Sequence, residues 1–139
     1  MSTDFNEWNK SVIAEFRANA GKVGDMFEGK SMALLHTTGA KSGAERVNPL
    51  VLLIEDGRMY VVASKGGAPD NPDWYYNLKA NPQVTVEHLT ETFAATAVEV
   101  EDEDQRSHLY DLQISRFASF GDYVKMTDRR IPVIELVRA

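Results

Sequence analysis

Between the apolar runs at residues 45–54 and 58–63 stands Glu55-Asp56-Gly57, and an Asp-Gly pair tolerates the positive φ angles of a tight hairpin. Similar short runs recur along the chain. Met32 to Thr37, Val84 to His88, Thr92 to Val100 and Pro132 to Val137 are each bounded by turn-forming residues. Several neighbours sit too close in sequence for a parallel crossover, so hairpins join them and the strands run mostly antiparallel. Pro49 lies inside the second run. Proline cannot donate to a strand ladder, so that strand is expected at an edge or a bulge.

Helical spacing appears in three places. Residues 4–20 carry Phe5, Trp8, Val12 and Phe16 on one stripe, with Asp4 and Glu7 at capping-box spacing and Gly21 and Gly24 as the stop. A shorter helix follows Asn71, a candidate N-cap, with Pro72 at the first helical position and Asn81-Pro82 at the end. A third opens at Asp102 and Gln105 and turns Leu109, Leu112 and Phe117 inward. About six strands with helices inserted predict one barrel-like α+β domain over residues 1–139.

Composition narrows the function. The 139 residues suit one domain with a real core. Without cysteine there is no disulfide, thiolate metal site or cysteine nucleophile. A net charge of −6 argues against a nucleic-acid partner. No apolar run is long enough for a membrane helix, and the first residues lack a signal-peptide pattern, so a cytoplasmic location is expected.

Few residues have the spacing of a catalytic constellation. His36, His88 and His108 are far apart, and none has a second ligand nearby in sequence, so no metal site is expected. The acidic run Glu101 to Asp104 reads as a solvated helix start. Two glycine loops stand out. Thr37 to Gly43, with Lys41, Ser42 and nearby Arg46, is one; Ala63-Ser64-Lys65-Gly66-Gly67 is the other. Each alone reads as an ordinary glycine turn with a lysine. Together they lie one hairpin apart and can face one anionic ligand. From Lys30 to Lys65, five basic residues against three acidic ones give +2 in an acidic chain. Aromatic residues Phe117, Phe120 and Tyr123 recur at spacings of three, as core or as walls for a planar ligand.

The stretch Leu34-Leu35-His36-Thr37-Thr38-Gly39-Ala40-Lys41-Ser42-Gly43, then Arg46-Val47-Asn48-Pro49-Leu50, resembles the deazaflavin-dependent nitroreductase family of actinobacteria. So do Val62 to Pro69, Asn71 to Pro82, and Asp128-Arg129-Arg130-Ile131-Pro132. The resemblance runs from about Met32 to the end and implies a split β-barrel that binds coenzyme F-420. That cofactor is an 8-hydroxy-5-deazaflavin with a phosphate and an oligoglutamate tail.

By the same resemblance, Lys41, Ser42, Arg46 and Lys65 hold the phosphate and tail. Asn48, Pro49, Leu50 and Val51, with Val62, Ala63 and Ser64, line the ring, and Val47 and Gly66 are further cofactor-binding candidates. Trp74 and Asn77 belong to the helix that closes the phosphate side. Ser64 and Tyr123 are the candidate catalytic residues, Ser64 because its hydroxyl can donate to developing negative charge. Trp8, Phe16, Phe117, Phe120 and Tyr123 are the candidate substrate pocket. Ala40 stands where relatives often carry arginine, and Phe117 and Phe120 stand where nitroimidazole-activating relatives carry tyrosine.

The implied activity is hydride transfer from the reduced cofactor to a small-molecule acceptor: quinones, activated alkenes or nitroaromatics. A flavin-mononucleotide enzyme of the same fold and a non-catalytic deazaflavin carrier are the alternatives. The aromatic stripe of the first helix is open between core packing, a lid and a peripheral contact with the inner membrane face for quinone access.

Overall fold

A computed structural model describes residues 2–19, 32–63, 71–116 and 131–139, with residues 2–9 described as backbone alone. The elements are α1 (Ser2–Ala18), β1 (Met32–Thr38), β2 (Glu45–Val51), β3 (Leu53–Glu55), β4 (Arg58–Val62), α2 (Asp73–Ala80), β5 (Gln83–His88), β6 (Glu91–Glu99), α3 (Glu103–Arg116) and β7 (Val133–Arg138).

Every pairing in the sheet is antiparallel, in the order β2-β1-β5-β6-β7-β4-β3. β2 and β3 lie at opposite ends of that order, yet Leu52 alone separates them in sequence. The sheet must therefore curl until its two edges nearly meet. This is a split β-barrel with helices added, the expected α+β class.

The expected strand over Glu45 to Ile54 is in fact two, which gives seven strands among the described residues. Up to Val51 it pairs with β1; from Leu53 it pairs with β4. No sequence period marks that exchange of partner. Pro49 stands opposite Leu34 on β2, an edge strand, the expected place for a residue that cannot donate to the ladder. The hairpin at 55–57 has Asp56 at φ 53° and Gly57 at φ 76°, as a two-residue turn requires.

Two helix starts differ from expectation. α1 begins at Ser2, so Asp4 lies within its first turn, where a carboxylate still favours the helix dipole. At α2 the N-cap is Pro72, with ψ 156°, and Asn71 lies one residue outside. Proline's fixed φ fits the cap as well as the first helical position. Gly21, Gly24 and Phe117 lie outside the described residues.

Strand alternation sorts the core into two faces. The inner face packs Ala33, Leu35, Val61, Val86, Ile134 and Leu136, with Trp74 and Leu78 of α2 against them. On the outer face, Val12 and Phe16 of α1 cover Met32 and Leu34, while Leu109 and Tyr110 of α3 cover Leu53, Tyr60 and Val133.

Candidate cofactor site

Thr37↔Arg46, Leu35↔Asn48 and Ala33↔Leu50 are cross-strand pairs. Leu35 and Ala33 belong to the inner core, so Arg46, Asn48 and Leu50 share the inner face of β2. Along one edge strand the chain thus presents a cation, then an amide, then an apolar side chain. The intervening residues face the other way. Val47 and Val51 pack against the cluster under α1, and Pro49 stands opposite Leu34 of that cluster.

The residues expected along the ring, 48–51, and their neighbour Val47 thus alternate between two faces. With a period of two, Asn48 and Leu50 can line a ring by side chain, whereas Val47, Pro49 and Val51 offer backbone. Val62 likewise turns outward under α3, while Ala63, fully buried, turns inward.

The turn after β1 is built tightly. Gly39 N–H donates to Ala44 O at 2.7 Å, Gly43 N–H to Gly39 O at 2.9 Å, and Ala44 N–H to Ser42 Oγ at 3.2 Å. Gly43 has φ 71°, which favours glycine. A Cβ on Gly39 would lie 2.6 Å from Ser42 Oγ and 3.2 Å from Ala44 O. Asn77, 8% exposed, reaches across from α2: its Oδ1 accepts Ala40 N–H at 3.0 Å and its Nδ2 donates to Thr37 Oγ1 at 3.3 Å.

Most N–H groups of the turn are therefore engaged internally. Those of Lys41 and Ser42 have no partner among the described residues, and both side chains are exposed. Asn77 acts on the turn itself. Trp74, 6% exposed, is an inner-core residue. Sequence spacing gave no sign of either role, because both contacts join segments some forty residues apart.

Charge distinguishes this corner. Arg17, Lys79, Arg106, Arg116 and Arg138 each lie within 3 Å of a carboxylate oxygen. Lys41 and Arg46 have no such partner among the described residues. Two uncommitted cations beside two uncommitted N–H groups suit a phosphate or carboxylate, and the apolar Leu50 further along suits a ring. The residues present fit the anionic, planar cofactor expected from the sequence.

Other expected site residues are not brought here. Phe16, 2% exposed, packs on the outer face with Val12, Met32 and Leu34, opposite the side of Asn48 and Leu50. It is a core residue because the stripe of α1 must cover the apolar outer side of β1 and β2. Ser64, Lys65, Gly66, Phe117, Phe120, Tyr123 and the Trp8 side chain lie outside the described residues. His36 does have carboxylates beside it, Glu45 and Glu87, which strand register and not sequence spacing supplies. No three such side chains are arranged to hold a metal ion among the described residues. No described helix is long and apolar enough to cross a membrane.

Comparison with known proteins shows the family. Residues 8–137 match the model of the family described as F420H(2)-dependent quinone reductase. An F420H(2)-dependent quinone reductase of Mycobacterium tuberculosis (strain ATCC 25618 / H37Rv) is 37% identical over 128 residues, 90% of this chain and 86% of the relative. The solved structure of an F420-H2 dependent reductase, FDR-A, is 42% identical with a TM-score of 0.67, over 76% of this chain and 92% of that one. Another, described as a domain-swapped dimer, is 37% identical with a TM-score of 0.70, over 98% and 99% of the two chains. The chain belongs to the F420H(2)-dependent quinone reductase family and is a reductase whose cofactor is coenzyme F-420.

Proposed function

We propose that this enzyme reduces quinones and conjugated enones or lactones with reduced F-420. In this reading, Lys41, Ser42 and Arg46 hold the cofactor's anionic part and Asn48, Leu50 and Ala63 face its ring. The observation that carries the reading is the pair of cations without carboxylate partners among the described residues, Lys41 and Arg46, joined to the polar-to-apolar row of β2. When bound, the reduced cofactor supplies a hydride. The chain's part is placement: Asn77 fixes the turn, the turn fixes the anion, and the ring is thereby set against β2.

Ser64 and Lys65 extend the site in this proposal, with Ser64 donating to developing negative charge. Phe117, Phe120 and Tyr123, with Trp8, form an apolar acceptor pocket. Such a pocket binds planar molecules through buried area at roughly 25 cal/mol per Å² and discriminates weakly among them. Phenylalanine at 117 and 120 offers no hydroxyl, so bicyclic nitroimidazoles are poor acceptors.

The test is anaerobic turnover of a quinone, an enone and a bicyclic nitroimidazole with reduced F-420, and separately with reduced flavin mononucleotide. Quinone and enone reduction with F-420 alone supports the reading. Equal rates with the flavin favour the flavin alternative, and tight F-420 binding without turnover favours a carrier.

A further inference from the structure

On the outer face, behind the row that carries Arg46, four charged or titratable groups from four elements meet. His36 of β1 has its Nε2 2.6 Å from Glu87 Oε2 of β5 and its Nδ1 3.2 Å from Glu45 Oε2 of β2. Arg17 of α1 donates to both oxygens of Glu87, at 2.7 and 3.2 Å. The imidazole and Glu87 are largely buried, whereas the Glu45 side chain is 70% exposed.

A neutral imidazole has one N–H and one lone pair, and an ionised carboxylate only accepts. Both His36 contacts are therefore satisfied together only by the imidazolium. In that state the cluster balances two cations against two carboxylates. When the ring loses a proton, Glu87 still has Arg17. Glu45 has no other hydrogen-bonded cation among the described residues. The proton left on the ring stays with the more buried Glu87, and Glu45 is released.

Glu45 is the residue before Arg46. By alternation the two point to opposite faces of the same edge strand, and His36 is the hydrogen-bonded partner of Glu45 on the outer one. We propose that His36 is a proton-carrying positioning residue: protonated, it holds and neutralises Glu45 away from the anion-holding groups Lys41 and Arg46. Deprotonated, it leaves one uncompensated negative charge beside them. Cofactor affinity is thereby coupled to pH. The inference rests on the reading that Lys41 and Arg46 hold the anionic part of F-420.

The experiment has two arms, both on the full chain. In the cofactor-free protein, ring-nitrogen NMR follows His36 with pH. In wild type the His36–Glu45 contact is expected to be present at pH 6 and lost at pH 8, and a contact unchanged between the two overturns the proposal. In the second arm, F-420 affinity is measured at pH 6 and pH 8 for wild type, Glu45→Gln and His36→Gln. The cofactor's own titration affects all three alike. Wild-type Kd is expected to rise by about two- to fivefold more than that of Glu45→Gln, the size expected for one partly screened charge nearby. His36→Gln is expected to lack the extra rise, and Glu45→Gln, altered at an exposed side chain, covers the case in which His36→Gln fails to fold. Equal rises in wild type and Glu45→Gln overturn the proposal. Absent or salt-insensitive F-420 binding by wild type at both pH values overturns the cofactor reading and with it this link. A His36–Glu45 contact that still changes between the two pH values then identifies that failure as the cofactor reading's.

Discussion

The side-chain oxygen of Asn77 accepts the backbone N–H of Ala40 at 3.0 Å, while its amide nitrogen donates to Thr37. One buried side chain thus locks α2 to both the end of β1 and the turn that carries Lys41. Leaving such groups unpaired costs about 1–3 kcal/mol. Asn77→Ala is expected to lower stability by that amount and to weaken F-420 binding, with kcat at saturating cofactor less affected. Thermal melts and a KM-against-kcat comparison check it.

Gly39 gives a steric test of the same turn. With Ser42 Oγ 2.6 Å from a Cβ at this position, Gly39→Ala must displace the hydroxyl or the backbone. Overpacking of this kind costs about 1–3 kcal/mol. Gly39→Ala is expected to weaken cofactor binding, and adding Ser42→Ala is expected to recover part of the stability. Melting temperatures of the single and double variants measure the recovery.

Arg17 holds the Glu87 carboxyl below the usual carboxylate range, chiefly through their hydrogen bonds, and burial holds His88 below the usual histidine value. Both shifts make acid unfavourable. For Glu87, the stabilisation is present above its unfolded value of about 4.3 and is lost as pH falls through the lower folded value. For His88, protonation is resisted by the fold, so stability falls as pH drops below about 6.5. Arg17→Met is expected to melt lower than wild type at pH 7, with the gap closing below about pH 4. Because Arg17 is half exposed, added salt should also narrow it. Melts across pH and salt decide both.

Gln113 of α3 is fully buried, and neither its oxygen nor its nitrogen has a hydrogen-bond partner among the described residues. Replacing an unpaired buried amide by an apolar group of similar size removes a penalty of about 1–3 kcal/mol. Gln113→Met is therefore expected to raise the denaturation midpoint without changing its slope, measured in urea.

Strands joined by short turns were legible because alternation and Asp56-Gly57 are local signals. The exchange of partner at Leu52 was not, because it depends on sheet curvature and not on any residue near it. At the site, Lys41, Ser42 and Arg46 were legible as loop chemistry. The split of residues 47–51 between two faces follows from strand period alone and was available from the sequence once the strand was assigned. Phe16 read as core or as pocket, since a stripe shows that a face is apolar and not what covers it. Asn77 on Ala40 and His36 between Glu45 and Glu87 are long-range contacts set by register, which one sequence does not display.

In the proposed function, Lys41 and Arg46 hold the anionic part of the cofactor. The most direct test is equilibrium titration of the protein with F-420, followed by fluorescence, across increasing salt for wild type, Lys41→Ala and Arg46→Ala. Charge-assisted contacts are worth about 1.5–3 kcal/mol, so each variant is expected to bind about tenfold or more weakly and with a shallower dependence on salt. Unchanged affinity and unchanged salt dependence in both variants would contradict the account.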